Sequence, residues 1–147
     1  MHDKTTENVS TEIKNFIGYL RLEKYNIFNF NMGISSLKID EESFVEFIVD
    51  DQLDGLDVKA VRMFGSYGLY RGDNFFGIIA KSQLFFKTSA KSKGKYLDYG
   101  MMPFSPSKIQ VLSNYLEVPA DVIEDRNKLQ AWALEAAECG EKGEAWF

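Results

Sequence analysis

Between Val58 and Thr88 the chain is a succession of β-prone runs cut by very short turn signals. Val58–Arg71 is followed by Gly72-Asp73, Asn74–Ala80 by Lys81-Ser82, and Gln83–Thr88 closes the series. Connections this short join only antiparallel neighbours, because a parallel crossover needs a dozen or more residues. The segment therefore predicts an antiparallel meander. Gly65 and Gly68 fall inside the first run, where a strand interior gains nothing from glycine, and predict a bulge or sharp bend there.

Helical patterns flank the meander. Asp40 is a good N-cap for a helix over 41–54, with Glu41 and Glu42 in its first turn and Gly55 as its left-handed stop. Phe44, Val45, Ile48, Val49 and Leu53 recur at three- and four-residue spacing and predict its buried face. Glu42, Glu46, Asp50 and Asp54 line the opposite side, a solvated face or a docking stripe for a basic partner. A lysine-rich helical turn is expected over 90–99, ending at Gly100, then strands over 101–105 and 109–118 with Pro106 in the loop between them. Pro119 opens a C-terminal helical region whose Leu129, Trp132, Ala133, Ala136 and Ala137 form one apolar stripe before Gly140.

The predicted order is α-β-β-β-α-β-β-α. It implies an α+β fold of two layers, a single five-stranded antiparallel sheet with helices on one face. The chain's 147 residues fit one domain and bury roughly 70% of the surface the unfolded chain exposes. Residues 40–140 are expected to form that domain, with 1–39 an N-terminal extension outside the core and 141–147 a C-terminal tail. The stretch over 15–31 mixes aromatics and asparagines without a sustained period. Phe75, Phe76, Ile78 and Ile79 place large apolar groups on both sides of one strand. A two-layer domain leaves one side wet, so either a homodimer or a covering segment is expected, the homodimer being preferred to residues 15–31.

A single cysteine, Cys139, rules out an intramolecular disulfide and favours a reducing compartment. No run approaches the length of a membrane span, so a cytoplasmic protein without a membrane partner is expected. The formal charge of −5 argues against long-range attraction to nucleic acid as the main binding force. Its distribution is uneven: residues 81–108 carry six lysines against Asp98, while 117–144 carry eight carboxylates against Arg126, Lys128 and Lys142.

The residue inventory leaves little room for catalysis. The only histidine is His2, which excludes a triad and any histidine-containing metal site. Cys139 sits near the negative end of its helix, where a thiolate is disfavoured. Asp50-Asp51 and Glu124-Asp125 are adjacent on helices and point in different directions. No phosphate-cradling glycine loop is present. No enzyme, cofactor or metal is therefore expected. Gly65-Ser66-Tyr67-Gly68 spells the GxxG of a KH loop but lacks the flanking helices that module needs. Arg71-Gly72 ahead of Phe75-Phe76 approaches an RNP1 motif and fails in spacing.

The segment RMFGSYGLYR (62–71) has FVEFIVDDQLDGL (44–56) before it. FFGIIA, LFFK, MPF (102–104) and YLEVPADVIED (115–125) follow. This spaced set resembles the N-terminal domain of the TfoX/Sxy family of bacterial competence regulators. The family pattern falls on Arg62, Met63, Phe64, Gly65, Tyr67, Gly68, Leu69 and Tyr70, then Tyr115 and Pro119, with Ser66 where a second glycine is usual. The resemblance implies a secretion-chaperone-like fold, a role in regulating gene expression and no catalytic activity. Full regulators of this type carry a further C-terminal domain, so what transfers is the N-terminal domain alone.

Function is accordingly expected to lie in a surface. The leading expectation is a regulatory or adaptor module that binds a protein partner, with Arg62, Tyr67, Tyr70 and Arg71 as candidate contacts. The alternative is a nucleic-acid binder using Lys87, Lys91, Lys93 and Lys95 beside Tyr96 and Tyr99.

Overall fold

The strand Asn74–Ala80 settles the architecture, because every one of its last six residues is buried and both of its faces must therefore be covered. The structure, a computed structural model, describes residues 40–139 and the backbone of 141–142. The expectations for 1–39 and 143–147 lie outside the described residues. In chain order α1 (Glu41–Glu46) runs into a π-helical segment (Phe47–Gln52). Then come β1 (Val58–Met63), β2 (Ser66–Arg71), β3 (Asn74–Ala80), β4 (Gln83–Lys87) and α2 (Lys93–Asp98). The chain continues with β5 (Pro103–Phe104), β6 (Leu112–Glu117), α3 (Ala120–Glu124), α4 (Arg126–Cys139) and β7 (Glu141–Lys142). One antiparallel sheet results, in the order β1-β2-β3-β4-β6-β5, with β7 joined to β3. The α+β class and the single antiparallel sheet hold. The strand count rises from the expected five to seven among the described residues.

Half of that difference lies in the first run, and β7 is the other half. Instead of one bent strand, Val58–Arg71 is a hairpin whose turn residues Phe64 and Gly65 both have positive φ, 47° and 81°. That is what a two-residue type I′ connection requires. Gly65 supplies the turn. Gly68 serves packing instead: a Cβ there would run into the Met63 side chain and lie 2.8 Å from Phe75 Cε1. The 72–73 and 81–82 turns stand where the sequence places them, with Gly72 at φ 61° and Lys81 and Ser82 at 53° and 61°.

Strand β3 serves two cores through a register shift. Leu69 faces Gly77 but Tyr70 faces Phe75, so Phe76 is an extra residue opposite β2. The bulge sends Phe76 and Ile79 toward the helices and Phe75, Ile78 and Ala80 to the other side. Gly77 makes it possible, since a Cβ there would lie 3.1 Å from both Leu69 Cδ1 and the Phe85 carbonyl.

On the helical side Phe44, Ile48 and Leu53 meet Leu69, Phe76, Leu84 and Phe86, with Leu129, Trp132, Ala133, Ala136 and Ala137 of α4 above them. The expected α4 stripe is buried in full. The π-helical turn, marked by the Leu53 amide donating to the Ile48 carbonyl at 2.8 Å, brings Phe47 into the core and leaves Val49 only partly buried. Gln52 donates to the Ile123 carbonyl at 2.6 Å, and Gln130 donates to the carbonyls of Gln52 and Asp54 at 2.9 and 3.1 Å. These side chains take up acceptors that a helix end leaves open.

Elsewhere elements are shorter than expected. The Asp125 carboxylate accepts the Lys128 amide at 3.1 Å, so it caps α4 and splits the C-terminal helical region in two. Ser89 and Ser92 bond backbone amides of 89, 91 and 92, which holds 89–92 as a turn and delays α2 to Lys93. Pro103 and Pro106 lack ladder donors, and β5 keeps only two residues, Pro103–Phe104, while β6 runs from Leu112 to Glu117.

The Gly68→Ala variant is expected to lose about 1 to 3 kcal/mol in urea unfolding, the usual penalty of overpacking. Pairing it with Met63→Ala should restore part of the loss.

Candidate interaction surface

At the tip of the β1–β2 hairpin the cross-strand pair Arg62 and Tyr67 places a guanidinium against a phenol. Arg62 Nη1 donates to the Tyr67 hydroxyl at 2.9 Å, and its charge lies 5.4 Å from the ring centroid. Between them in sequence stands Phe64, 77% exposed and left-handed in backbone. A bulky residue there is a genuine outlier. The expected single strand over Val58–Arg71 would include Phe64; the residue sits instead in the turn between β1 and β2. Of the two turn residues only Gly65 matches the usual asparagine-glycine signal of such a turn.

The other two candidates part from this pair. Arg71 lies at the opposite end of β2, where its Nε donates to the Leu56 carbonyl at 2.9 Å and ties the sheet to the loop after the π-helical turn. Tyr70 points to the other face and packs on Phe75 at 5.2 Å between centroids. Arg62, Tyr67, Tyr70 and Arg71 therefore do not form one patch. Arg62, Phe64 and Tyr67 do.

The lysine-rich candidates disperse as well. Lys87 lies over the Tyr115 ring at 5.2 Å, with its strand partner on the face away from the helices. Lys95 pairs with Glu135 and stands 4.9 Å over Trp132. Lys93 reaches Asn114 Oδ1 at 3.5 Å, and Lys91 is exposed. Tyr96 is 1% exposed under Trp132, with ring centroids 4.7 Å apart, so it has no ring face at the surface. Tyr99 remains partly open, and Lys128 Nζ donates to its hydroxyl at 3.3 Å.

Beside the hairpin tip runs a groove of about 540 Å³, bordered by Phe64–Ser66, Lys81 and Met102–Pro106. Its floor is Ala80, Phe85 and Phe104, and at one end Gln83 Nε2 donates to Glu117 Oε2 at 3.2 Å. Met102 on its rim is 68% exposed. Among the described residues no group of three or more histidine, cysteine, aspartate or glutamate side chains is placed to hold a metal, and no helix is long and apolar enough to cross a membrane. Cys139 Sγ lies 3.4 Å from the Glu135 carbonyl, within its own helix.

The hairpin, the meander and the helices that close it match the TfoX N-terminal domain over residues 51–140. The chain belongs to this family. No curated protein matches it. In this TfoX N-terminal domain the segment RMFGSYGLYR is the β1–β2 hairpin itself, so the stretch that carries the resemblance also carries the exposed tip. Within it Gly65 and Phe64 form the turn, Leu69 is core and Gly68 admits Met63 and Phe75.

Tyr96 gives the domain an alkaline weakness. Burial raises its pKa far above the usual tyrosine value, with Glu135 and Cys139 adding to the effect. Folded Tyr96 holds its proton while an unfolded tyrosine sheds it near pH 10, so the stabilisation is present below about pH 10 and declines above it. Urea unfolding from pH 8 to 11 should show that decline, and Tyr96→Phe should reduce it.

Proposed function

We propose that this domain is a non-catalytic regulatory module that acts by binding a protein partner through the tip of the β1–β2 hairpin. The observation that carries the reading is Phe64, held at φ 47° and 77% exposed beside the bonded Arg62–Tyr67 pair. Left-handed strain in a residue with a side chain costs of order 1 to 3 kcal/mol, and a turn of this type is better served by asparagine. An aromatic ring is badly suited to the turn and well suited to an interface. Tyrosine, phenylalanine and arginine are the residues enriched in the desolvated centres of protein interfaces. Family membership supports the regulatory class, and the placement of the one histidine at residue 2 supports the non-catalytic part.

Nucleic-acid binding through residues 87–99 has weaker support. Its stacking ring Tyr96 is enclosed, Lys95 is committed to Glu135, and Lys87 stands on the opposite side of the sheet.

Phe64→Asn separates an interface role from a packing role. The variant is expected to be more stable than the parent by about 1 kcal/mol, because asparagine tolerates the left-handed turn, and to lose the protein partner in affinity capture from the cells of origin. Lys91→Gln with Lys93→Gln should retain it. In a mobility-shift titration with a mixed-sequence DNA duplex the parent should show no submicromolar binding at low salt. Tight binding with a steep salt slope would transfer the function to nucleic acid.

A further inference from the structure

The two edges of the sheet are not alike. At one, β5 keeps two residues, opens on Pro103 and breaks register against β6 between Pro103 and Phe104. Short length, proline and irregular pairing are devices by which natural proteins blunt an edge. At the other, β1 is regular: all six residues from Val58 to Met63 pair with β2 without a shift, and the strand contains neither proline nor glycine. Among the described residues no strand lies on its outer side.

The groups that this edge offers follow from the hairpin. A two-residue turn closes on a pair that exchanges both of its backbone bonds, here Met63 and Ser66, and bonded pairs then alternate along the ladder. Lys59, Val61 and Met63 therefore bond β2, while Val58, Ala60 and Arg62 turn their amides and carbonyls outward. Side chains add a pattern to this row. Lys59 and Arg62 are exposed, and Val61 between them is 46% exposed. Lys59 and Val61 share one face of the strand, and Arg62 lies on the other beside Tyr67. Between Val58 and Gly72 the charged residues are Lys59, Arg62 and Arg71, all basic, in a chain whose formal charge is −5.

Resting on the hairpin-tip reading above, we propose that the protein partner binds by adding an extended acidic segment to β1 as a further antiparallel strand. In this mode backbone pairing supplies affinity and alternate side chains supply specificity. Opposite charges directly across a strand pair are favourable, and like charges are unfavourable. Facing Arg62, Val61, Ala60 and Lys59 in antiparallel order, the segment reads carboxylate, apolar residue, any residue, carboxylate. The first carboxylate meets Arg62 next to the exposed Phe64, and the last meets Lys59. A second copy of the chain suits this edge poorly, since its β1 brings two more cations and no carboxylate. The charges that discourage self-pairing are thus the ones that select an acidic strand.

Amide exchange followed by NMR on the intact protein tests the inference, with a synthetic threonine-rich peptide that carries glutamate-valine-threonine-glutamate at its centre. Exchange at Val58, Ala60 and Arg62 is expected to be fast in the free protein and to slow at least about tenfold when the peptide is saturating, with the amides of α4 unchanged. A peptide with lysine in place of both glutamates should bind about tenfold more weakly. Lys59→Glu should weaken the glutamate peptide several-fold, and changing the glutamate that faces it to lysine should restore the affinity. Absence of slowing with the glutamate peptide would overturn the proposal, as would equal binding of the two peptides or slow exchange at all three amides in the free protein. So would slowing that follows protein concentration without peptide, which would assign the edge to a second copy. Should Lys59→Glu unfold, the two peptides on the parent protein decide alone. The hairpin-tip reading stands or falls separately, on partner capture by Phe64→Asn.

Discussion

Strand β3 must be apolar on both sides, and the rest of the molecule is arranged around that requirement. A strictly alternating strand would set Phe75 and Ile79 on one face and Phe76 and Ile78 on the other. The bulge opposite Leu69 and Tyr70 regroups them, so that Phe76 and Ile79 serve the helical core and Phe75 and Ile78 the second one. Fully burying side chains of this size contributes about 1.5 to 3 kcal/mol each, so the regrouping governs a large part of the stability. Its condition is the missing side chain of Gly77, which lets Leu69 and Phe86 close over the extra residue. Polar groups are correspondingly scarce inside. Among the described residues Gln52, Thr88 and Ser92 are the buried polar ones, and each is hydrogen-bonded.

The meander around β3 runs through tight turns, and their strain is not spread evenly. Gly65 and Gly72 take positive φ without penalty, whereas Phe64, Lys81 and Ser82 take it with a side chain attached. At Lys81 the structure offers compensation, because its amide is held by the Glu41 carboxylate. Phe64 lies instead in a turn held by the β1–β2 ladder, whose last pair is Met63 and Ser66. A well-formed ladder can impose a poor turn conformation on one residue, and here it holds an aromatic ring outward.

Much of this was legible in the residues. Turn dipeptides gave the antiparallel meander, three- and four-residue spacing gave the buried stripe of α4, and the motif around RMFGSYGLYR gave the family. Three things were less legible, each for a physical reason. Phe64-Gly65 was read as strand because phenylalanine favours strands, and its turn role became visible only when cross-strand pairing set the register. Gly65 and Gly68 look alike in sequence, but one relieves φ and the other makes room for Met63 and Phe75, a distinction that depends on what lies opposite. The candidate cluster Arg62, Tyr67, Tyr70 and Arg71 failed to converge because strand residues alternate faces. Tyr70 differs in parity from Tyr67, while Arg71 shares its face but sits four residues along the strand, about 13 Å away.

Charge follows the same logic of place over composition. The lysine-rich stretch and the acidic C-terminal stretch look like opposed patches in sequence, but α2 and α4 bring them together at Lys95 and Glu135 beside Trp132. Both groups are more than a third exposed, so water screens the pair and it adds little stability. Its larger effect is on the field at the surface. A cation compensated by a neighbouring carboxylate and drawn over an indole no longer belongs to a row that could follow a phosphate backbone, and Lys87 has already left that row for the other side of the sheet. Arg62 is in a different position. Among the described residues its hydrogen-bond partner is the neutral hydroxyl of Tyr67, and that bond orients the charge without cancelling it. A positive charge oriented by a neutral hydroxyl, next to the exposed Phe64, would give the proposed interface both orientation and apolar contact.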